Sequence, residues 1–167
     1  MNDVESDRWI TAAVRKYSEP LTLYALHMTG DIHLARDVVQ EAFIKLCSQN
    51  EKKVGERTRE WLYTVCRHRA LDYIRKGKRM TSLDSRHDEV EGDGNVENHG
   101  VENENRILQA VNNLPNNQKE VIRLKFLHGQ SYKEISRVTG LSESNVGFLI
   151  HTGIQTLRAQ WKTLAAQ

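Results

Sequence analysis

Between Arg59 and Arg79 the chain interleaves cations with aromatic rings: Arg59, Arg67, Arg69, Arg75, Lys76, Lys78 and Arg79 stand among Trp61, Tyr63 and Tyr73. Guanidinium and ammonium groups neutralise phosphates, and aromatic faces stack on unpaired bases, so this mixture suits a nucleic acid backbone with splayed bases. Placed on a helix, Leu62, Val65, Cys66, Ala70, Tyr73 and Ile74 form one apolar stripe. Tyr63, Arg67, His68 and Arg75 fall off it and are expected on the outer face, while Trp61 is expected to anchor the helix in the core. The same residues also fit an ordinary solvated face with a basic cap at the helix C-terminus, where the macrodipole favours cations. From this stretch alone both readings stand.

A second constellation runs from Ser131 to Arg158 and has the spacing of a helix-turn-helix. Ile135 and Ser136 supply the apolar and small contacts of its first helix, Gly140 the tight turn, and Leu141 the plug of the angle. Ser142 is a natural N-cap for the second helix, whose inner face takes Val146, Leu149, Ile150, Ile154 and Leu157. Outward fall Ser144, Asn145, Phe148, His151, Thr152 and Gln155, with Arg158 and Lys162 beyond. In a major groove, amides and hydroxyls read base edges and an apolar ring meets a thymine methyl. Phe148 fits packing against a neighbouring helix or the linker equally well, and the whole unit could serve as a structural hairpin. Gly147 and Gly153 cost helix stability; they either permit a close approach or are simply tolerated.

Catalytic constellations are not found. Seven histidines are scattered without an H-E-x-x-H pattern, and there is no G-x-S-x-G or Gly-rich phosphate loop, so no catalytic residue, metal or cofactor is expected. Cys47 and Cys66 lack a C-x-x-C spacing, sit in helical patterns and read as buried reduced thiols. With 38% hydrophobic residues, 28% charged residues and two prolines, the 167-residue chain reads as a soluble helical protein. No signal-type or membrane-spanning apolar run is found, which points to a cytoplasmic location without membrane insertion. The net charge of +2 conceals an asymmetry: the basic block from Lys52 to Arg79 is followed by Asp84, Asp88, Glu89, Glu91, Asp93, Glu97, Glu102 and Glu104. A polyanion partner is expected for the basic block.

The elements that must position these residues follow from hydrophobic period and punctuation. Trp9, Ile10, Ala13, Val14 and Tyr17 predict a first helix, after which Pro20 opens a second through Leu21, Tyr24, Ala25 and Met28, stopping at Gly30. Asp31 caps a third helix with Ala35, Val38, Val39, Ala42, Phe43 and Leu46 on its inner face; Arg36, Asp37, Gln40, Glu41 and Lys45 lie largely off it. Gln49 to Thr58 reads as a basic loop leading into the Arg59 to Arg79 helix. From about Thr81 to Asn105 the composition is that of a flexible acidic linker. Ile107, Leu108, Val111 and Leu114 predict a short helix ending before Pro115, and another carries Val121, Ile122, Leu124 and Phe126 to Gly129. The expected fold is all-α: a helical domain over 1–80, a linker over 81–105, and a helix-turn-helix domain over 106–167.

Taken together, these motifs resemble the extracytoplasmic-function (group IV) sigma factors of bacterial RNA polymerase. Asp37-Val-Val-Gln-Glu-Ala-Phe43 is similar to that family's D-x-V-Q-E-x-F helix, and Trp61 to Asp72 is similar to its W-L-y-x-I-A-x-N-x-a-x-D element. Leu114-Pro-x-x-Gln118 and Glu134-Ile-x-x-x-x-Gly140-x-Ser142 are similar to the signature of its −35 domain. The resemblance implies a sigma subunit that binds core RNA polymerase, mainly the β′ clamp helices, through Asp37, Gln40, Glu41 and Phe43. It implies −10 contacts and melting by Arg59, Tyr63, Arg67, His68, Arg75 and Lys76. It implies −35 contacts by Ser144, Asn145, Phe148, His151, Thr152 and Arg158, an anti-sigma factor as a further partner, and no cofactor or small-molecule substrate. Because the chain stops at Gln167, no extra C-terminal regulatory domain is expected. The chain departs from the pattern at His68, where the family usually has Asn, and at Gly147, Leu149 and Thr152, where it commonly has basic residues. A free-standing helix-turn-helix regulator is the alternative, and it leaves the Asp37 to Phe43 helix without a role.

Overall fold

The computed structural model describes the backbone of residues 3–81 and 99–166, and side chains within 7–80 and 105–166 except 164 and 165. The described residues are helical with short connections and form two compact units. The first contains α1 (Asp3–Thr29), α2 (Ile32–Cys47), the short α3 (Glu51–Val54) and α4 (Thr58–Thr81). The second contains α5 (His99–Asn112), α6 (Asn116–Phe126), α7 (Tyr132–Thr139) and α8 (Glu143–Ala165).

In the first unit α1, α2 and α4 each pack on the other two. Leu21, Tyr24 and Ala25 from α1, Val38, Ala42 and Leu46 from α2, and Leu62, Tyr63, Cys66 and Ala70 from α4 make the core. Local chemistry sets the joints. Gly30 adopts φ +71, a left-handed conformation that costs glycine no Cβ clash, and its N–H returns to the Leu26 carbonyl. The Asp31 carboxylate then accepts from the N–H groups of His33 and Leu34 at 2.7 and 3.0 Å, starting α2. Those same bonds hold its pKa below the ordinary 3.8.

Three expectations for this unit are corrected. Pro20 does not separate two helices; it lies inside the continuous α1. An interior proline costs about 3 kcal/mol in an isolated helix, and the packing of α1 along two partners overrides that local preference. The expected basic loop is instead α3, capped by Asn50, plus a 3₁₀ turn over Gly55–Arg57. The buried Thr58 hydroxyl donates to the Gly55 carbonyl at 2.8 Å and accepts from Trp9 Nε1 at 3.1 Å, which ties that turn to α1. Finally, Cys47 is exposed, because α2 ends there beyond the edge of the core. Cys66 is buried, and desolvation pushes its thiol up to about 12, so it stays protonated.

In the second unit α8 lies along α6, and α5 touches α8. Leu114, Val121, Ile122, Leu124, Ile135, Val146 and Ile150 are buried. Gly153 sits at the α6–α8 crossing, where an added Cβ would run into the Ile122 side chain and meet Gln118 Cβ at 3.5 Å. The glycine thus sits at a close approach, where a side chain would oblige Ile122 to shift. The helix expected from Ile107 begins earlier, at His99, so the last residues of the expected linker, 99–105, are helical and run into the rest of α5. The rest of the expected linker, residues 82–98, lies outside the described residues.

Candidate nucleic-acid interface

Two outward helix faces carry the groups singled out from sequence, and a third, on α2, stands beside the first. On α4, His68, Arg75, Lys76, Lys78 and Arg79 are exposed, while Arg59 and Arg67 are half-buried. At 100° per residue His68, Arg75 and Arg79 share one stripe, so the helix presents a cationic edge along its C-terminal half. Arg75 also reaches Asp72 at 3.2 Å, an exposed i,i+3 pair of small energetic value.

Tyr63 is not on that face. It is only 2% exposed, with its ring centroid 5.1 Å from that of Tyr24, and burial raises its phenol above the ordinary value of 10. The reason is tertiary: α4 packs on both α1 and α2, so its buried arc is wider than a single-partner stripe and takes in Tyr63 beside Leu62, Cys66 and Ala70. Val65 and Trp61 are half-buried instead. Tyr73 is engaged as well, since its hydroxyl donates to Glu41 Oε1 at 2.8 Å and the Arg69 guanidinium stands 5.4 Å from its ring centroid.

The same network accounts for Glu41. Its carboxylate accepts from Arg69 Nε and from Tyr73, and both side chains of the Glu41–Arg69 pair are 30% exposed. The hydrogen bond between them is the main reason that the Glu41 carboxyl lies below its ordinary 4.5 and that the Arg69 guanidinium is raised above its ordinary value. Glu41 therefore joins α2 to α4, whereas Asp37 and Gln40 are exposed and Phe43 is half-buried. Ile44, not noticed from sequence, is 63% exposed on the same side as Asp37 and Gln40. The signal was present: at 100° per residue Ile44 points nearly opposite Ala42 and Leu46.

The second of the two faces singled out from sequence is built by the helix-turn-helix. Ser131 and Glu134 form a capping box at the start of α7, with the Ser131 N–H donating to Glu134 Oε2 at 2.7 Å and the Glu134 N–H donating to Ser131 Oγ at 3.2 Å. Gly140, at φ +76, ends α7, and the Ser136 hydroxyl donates to the Leu141 carbonyl at 2.6 Å, fixing the turn. Ser142 caps α8 by accepting from the Asn145 N–H at 3.1 Å. With Val146 and Ile150 turned inward, Ser144, Asn145, Phe148, His151, Gln155 and Arg158 are exposed and Thr152 is half-buried. Phe148 is 63% exposed, so it does not pack against a neighbouring helix of its unit. The Thr152 hydroxyl donates back to the Phe148 carbonyl at 2.9 Å.

No cluster of three or more His, Cys, Asp or Glu side chains that could hold a metal occurs among the described residues, and none of their helices is long and apolar enough to cross a membrane.

Comparison with known proteins names the two units. The Sigma-70 region 2 model matches residues 13–80, and the Sigma-70, region 4 model matches residues 104–157. The helices and their outward faces thus define a protein with two sigma-70 modules, region 2 followed by region 4. Similar proteins include the ECF RNA polymerase sigma factors SigM of Bacillus subtilis, 29% identical over 86% of this chain and 89% of that protein, and SigW of the same organism, 28% identical over 89% and 86%. In fold the chain is similar to the sigma factor RpoE of Bartonella quintana, solved in complex with the anti-sigma factor NepR, with a TM-score of 0.68 at 18% identity over 91% of this chain and 96% of that one. The chain belongs to the extracytoplasmic-function sigma factors, DNA-binding proteins of transcription initiation.

Proposed function

We propose that this chain is the promoter-specificity subunit of a cytoplasmic RNA polymerase holoenzyme, with residues 1–80 and 106–167 as its working domains and 81–105 as their connection. It acts without catalysis, cofactor or small-molecule substrate. The reading is carried by one observation: region 2 and region 4 modules occur in order on one chain, and each contributes exposed helix faces.

In this reading Asp37, Gln40 and the exposed Ile44 form the docking face for core polymerase, chiefly the β′ clamp helices. A polar rim around one apolar side chain is the composition of a small recognition patch. Phe43 borders it, and Glu41 holds α4 in register behind it. The cations of α4, Arg59, Arg67, Arg75 and Lys76 with His68, hold the −10 strand during melting. Tyr63 supports that face from inside. The α8 face, from Ser144 to Arg158, reads the −35 element. An anti-sigma factor covering these faces is the expected regulator, supported by the fold neighbour being a sigma factor bound to one.

Run-off transcription with core polymerase tests the proposal. Addition of the chain should produce promoter-dependent transcripts from start sites mapped after its overproduction. Failure to form a complex with core polymerase, or operator binding that needs no polymerase, would instead favour the free-standing helix-turn-helix regulator.

A further inference from the structure

The outward face of α8 has an unusual make-up for a surface that meets DNA. From Glu143 to Gln155 it displays no Lys or Arg; beyond the exposed Glu143 at its start its polar groups are Ser144, Asn145, His151 and Gln155, and its largest side chain is Phe148. With 100° per residue, Phe148 and Gln155 lie at the centre of the arc opposite the buried Val146, Ile150 and Gly153. Thr152 turns its hydroxyl hydrogen back onto the Phe148 carbonyl, which leaves that donor unavailable to a base beside the ring. Bidentate guanine recognition by a long cation is therefore absent from the first three turns, and an exposed phenyl ring stands where the helix would enter deepest.

From this placement we infer that Phe148 is a specificity-determining residue of the −35 element, reading a thymine by apolar contact with its C5 methyl group in the major groove. The inference rests on α8 being the major-groove helix of a sigma factor. It goes further by naming the base, the atom and the side chain. The physical reason is differential desolvation. Burying one methyl group against the phenyl ring is worth about 0.8 kcal/mol, a factor of about four in affinity. Opposite a base that presents a polar group there, the ring strips water from that group and returns no hydrogen bond, so discrimination against the wrong base exceeds that factor. Because the contact carries no charge, its contribution is independent of salt.

Holoenzyme assembled from core polymerase and the full chain is titrated against promoter duplexes in which each thymine of the mapped −35 element is replaced singly by deoxyuridine, which deletes only the methyl. The expected result is one position, or two adjacent ones, at which deoxyuridine weakens binding by about fourfold for the native chain. In Phe148→Ala that methyl effect should vanish, so that the thymine and deoxyuridine duplexes bind within about twofold of one another. A ring this exposed leaves folding intact, which the unfolding midpoint of the variant checks. A methyl effect absent at every thymine, or one that persists undiminished in Phe148→Ala, overturns the inference and leaves the sigma-factor reading in place. Loss of core-polymerase or partner-protein binding in Phe148→Ala with unchanged DNA selectivity also overturns it, since the ring would then face protein. If the native holoenzyme binds no promoter specifically, it is the parent reading that has failed.

Discussion

The outward faces of α4 and α8, both assigned to nucleic acid in the proposed function, are chemically unlike. The α4 face is a cationic edge of Arg75, Lys76, Lys78 and Arg79 with one exposed imidazole at His68; of its aromatic rings Tyr63 is buried, Tyr73 is hydrogen-bonded to Glu41 and Trp61 is half-buried. The α8 face over its first three turns is uncharged apart from Glu143 at its start, and shows amides, a hydroxyl, an imidazole and a phenyl ring. Cations follow a backbone whatever its sequence, whereas amides and apolar groups distinguish base edges. One face is thus suited to holding a strand and the other to choosing a site.

The largest expected effect concerns whether α4 lacks a surface aromatic. Tyr63→Ala should destabilise the protein by about 3–5 kcal/mol, as for other buried aromatic truncations, whereas His68→Ala should stay within about 0.5 kcal/mol. Urea unfolding measures both. A stable Tyr63→Ala variant with a specific defect in promoter opening would restore the ring to the surface and break the comparison.

Next comes charge. Removing Arg75 and Lys76 together should lower promoter opening on the order of tenfold at low salt and flatten the log–log salt dependence by about 1.4, at about 0.7 per single-strand phosphate contact. Phe148→Ala should leave that slope unchanged. Identical slopes for the two variants would show that the faces do not divide backbone from base contacts.

A smaller effect distinguishes the two sides of α8. Gly147→Ala places a Cβ 3.4 Å from the Tyr132 ring, an ordinary contact, and should stabilise by about 1 kcal/mol through helix propensity. Gly153→Ala gains the same propensity but collides with Ile122, and should lie about 1–3 kcal/mol below Gly147→Ala in thermal unfolding. Equal midpoints would mean that α8 is free to move off α6.

The smallest effect is a pH dependence. Glu41 is held ionised by Arg69, so its folded pKa is below the unfolded 4.5; its contribution is present above 4.5 and is lost as the pH falls through the depressed folded value. Glu41→Gln should lower stability at neutral pH by under about 1 kcal/mol, as for a partly exposed pair, and remove this acid-limb loss. An unchanged acid limb would place the α2–α4 tie elsewhere.

Much of this molecule is legible in the chain because its joints are local. The Asp31 cap, the Ser131–Glu134 box, the left-handed Gly30 and Gly140 and the Ser142 cap each rest on side chains within a few residues of the backbone that they satisfy. The exposed row on α8 followed as well, since Val146 and Ile150 alone set its phase. Ile44 was equally readable from its phase against Ala42 and Leu46, and passed unnoticed only because an apolar residue inside an amphipathic helix is readily counted as core. Pro20 within α1 and the engagement of Glu41 with Arg69, twenty-eight positions away in sequence, had no local signal.

By itself, then, the sequence determined α6, α7 and α8, the caps and turns that phase them, and the identity of the groups available to each face, because these depend on short-range hydrogen bonds and a 3.6-residue period. Only the tertiary structure decided which of those groups reach the surface. With α4 wedged against two helices, the buried arc widens and Tyr63 goes inward; with α8 lying closely on α6 over Gly153, the opposite arc of α8, and Phe148 at its centre, is left to water or to DNA.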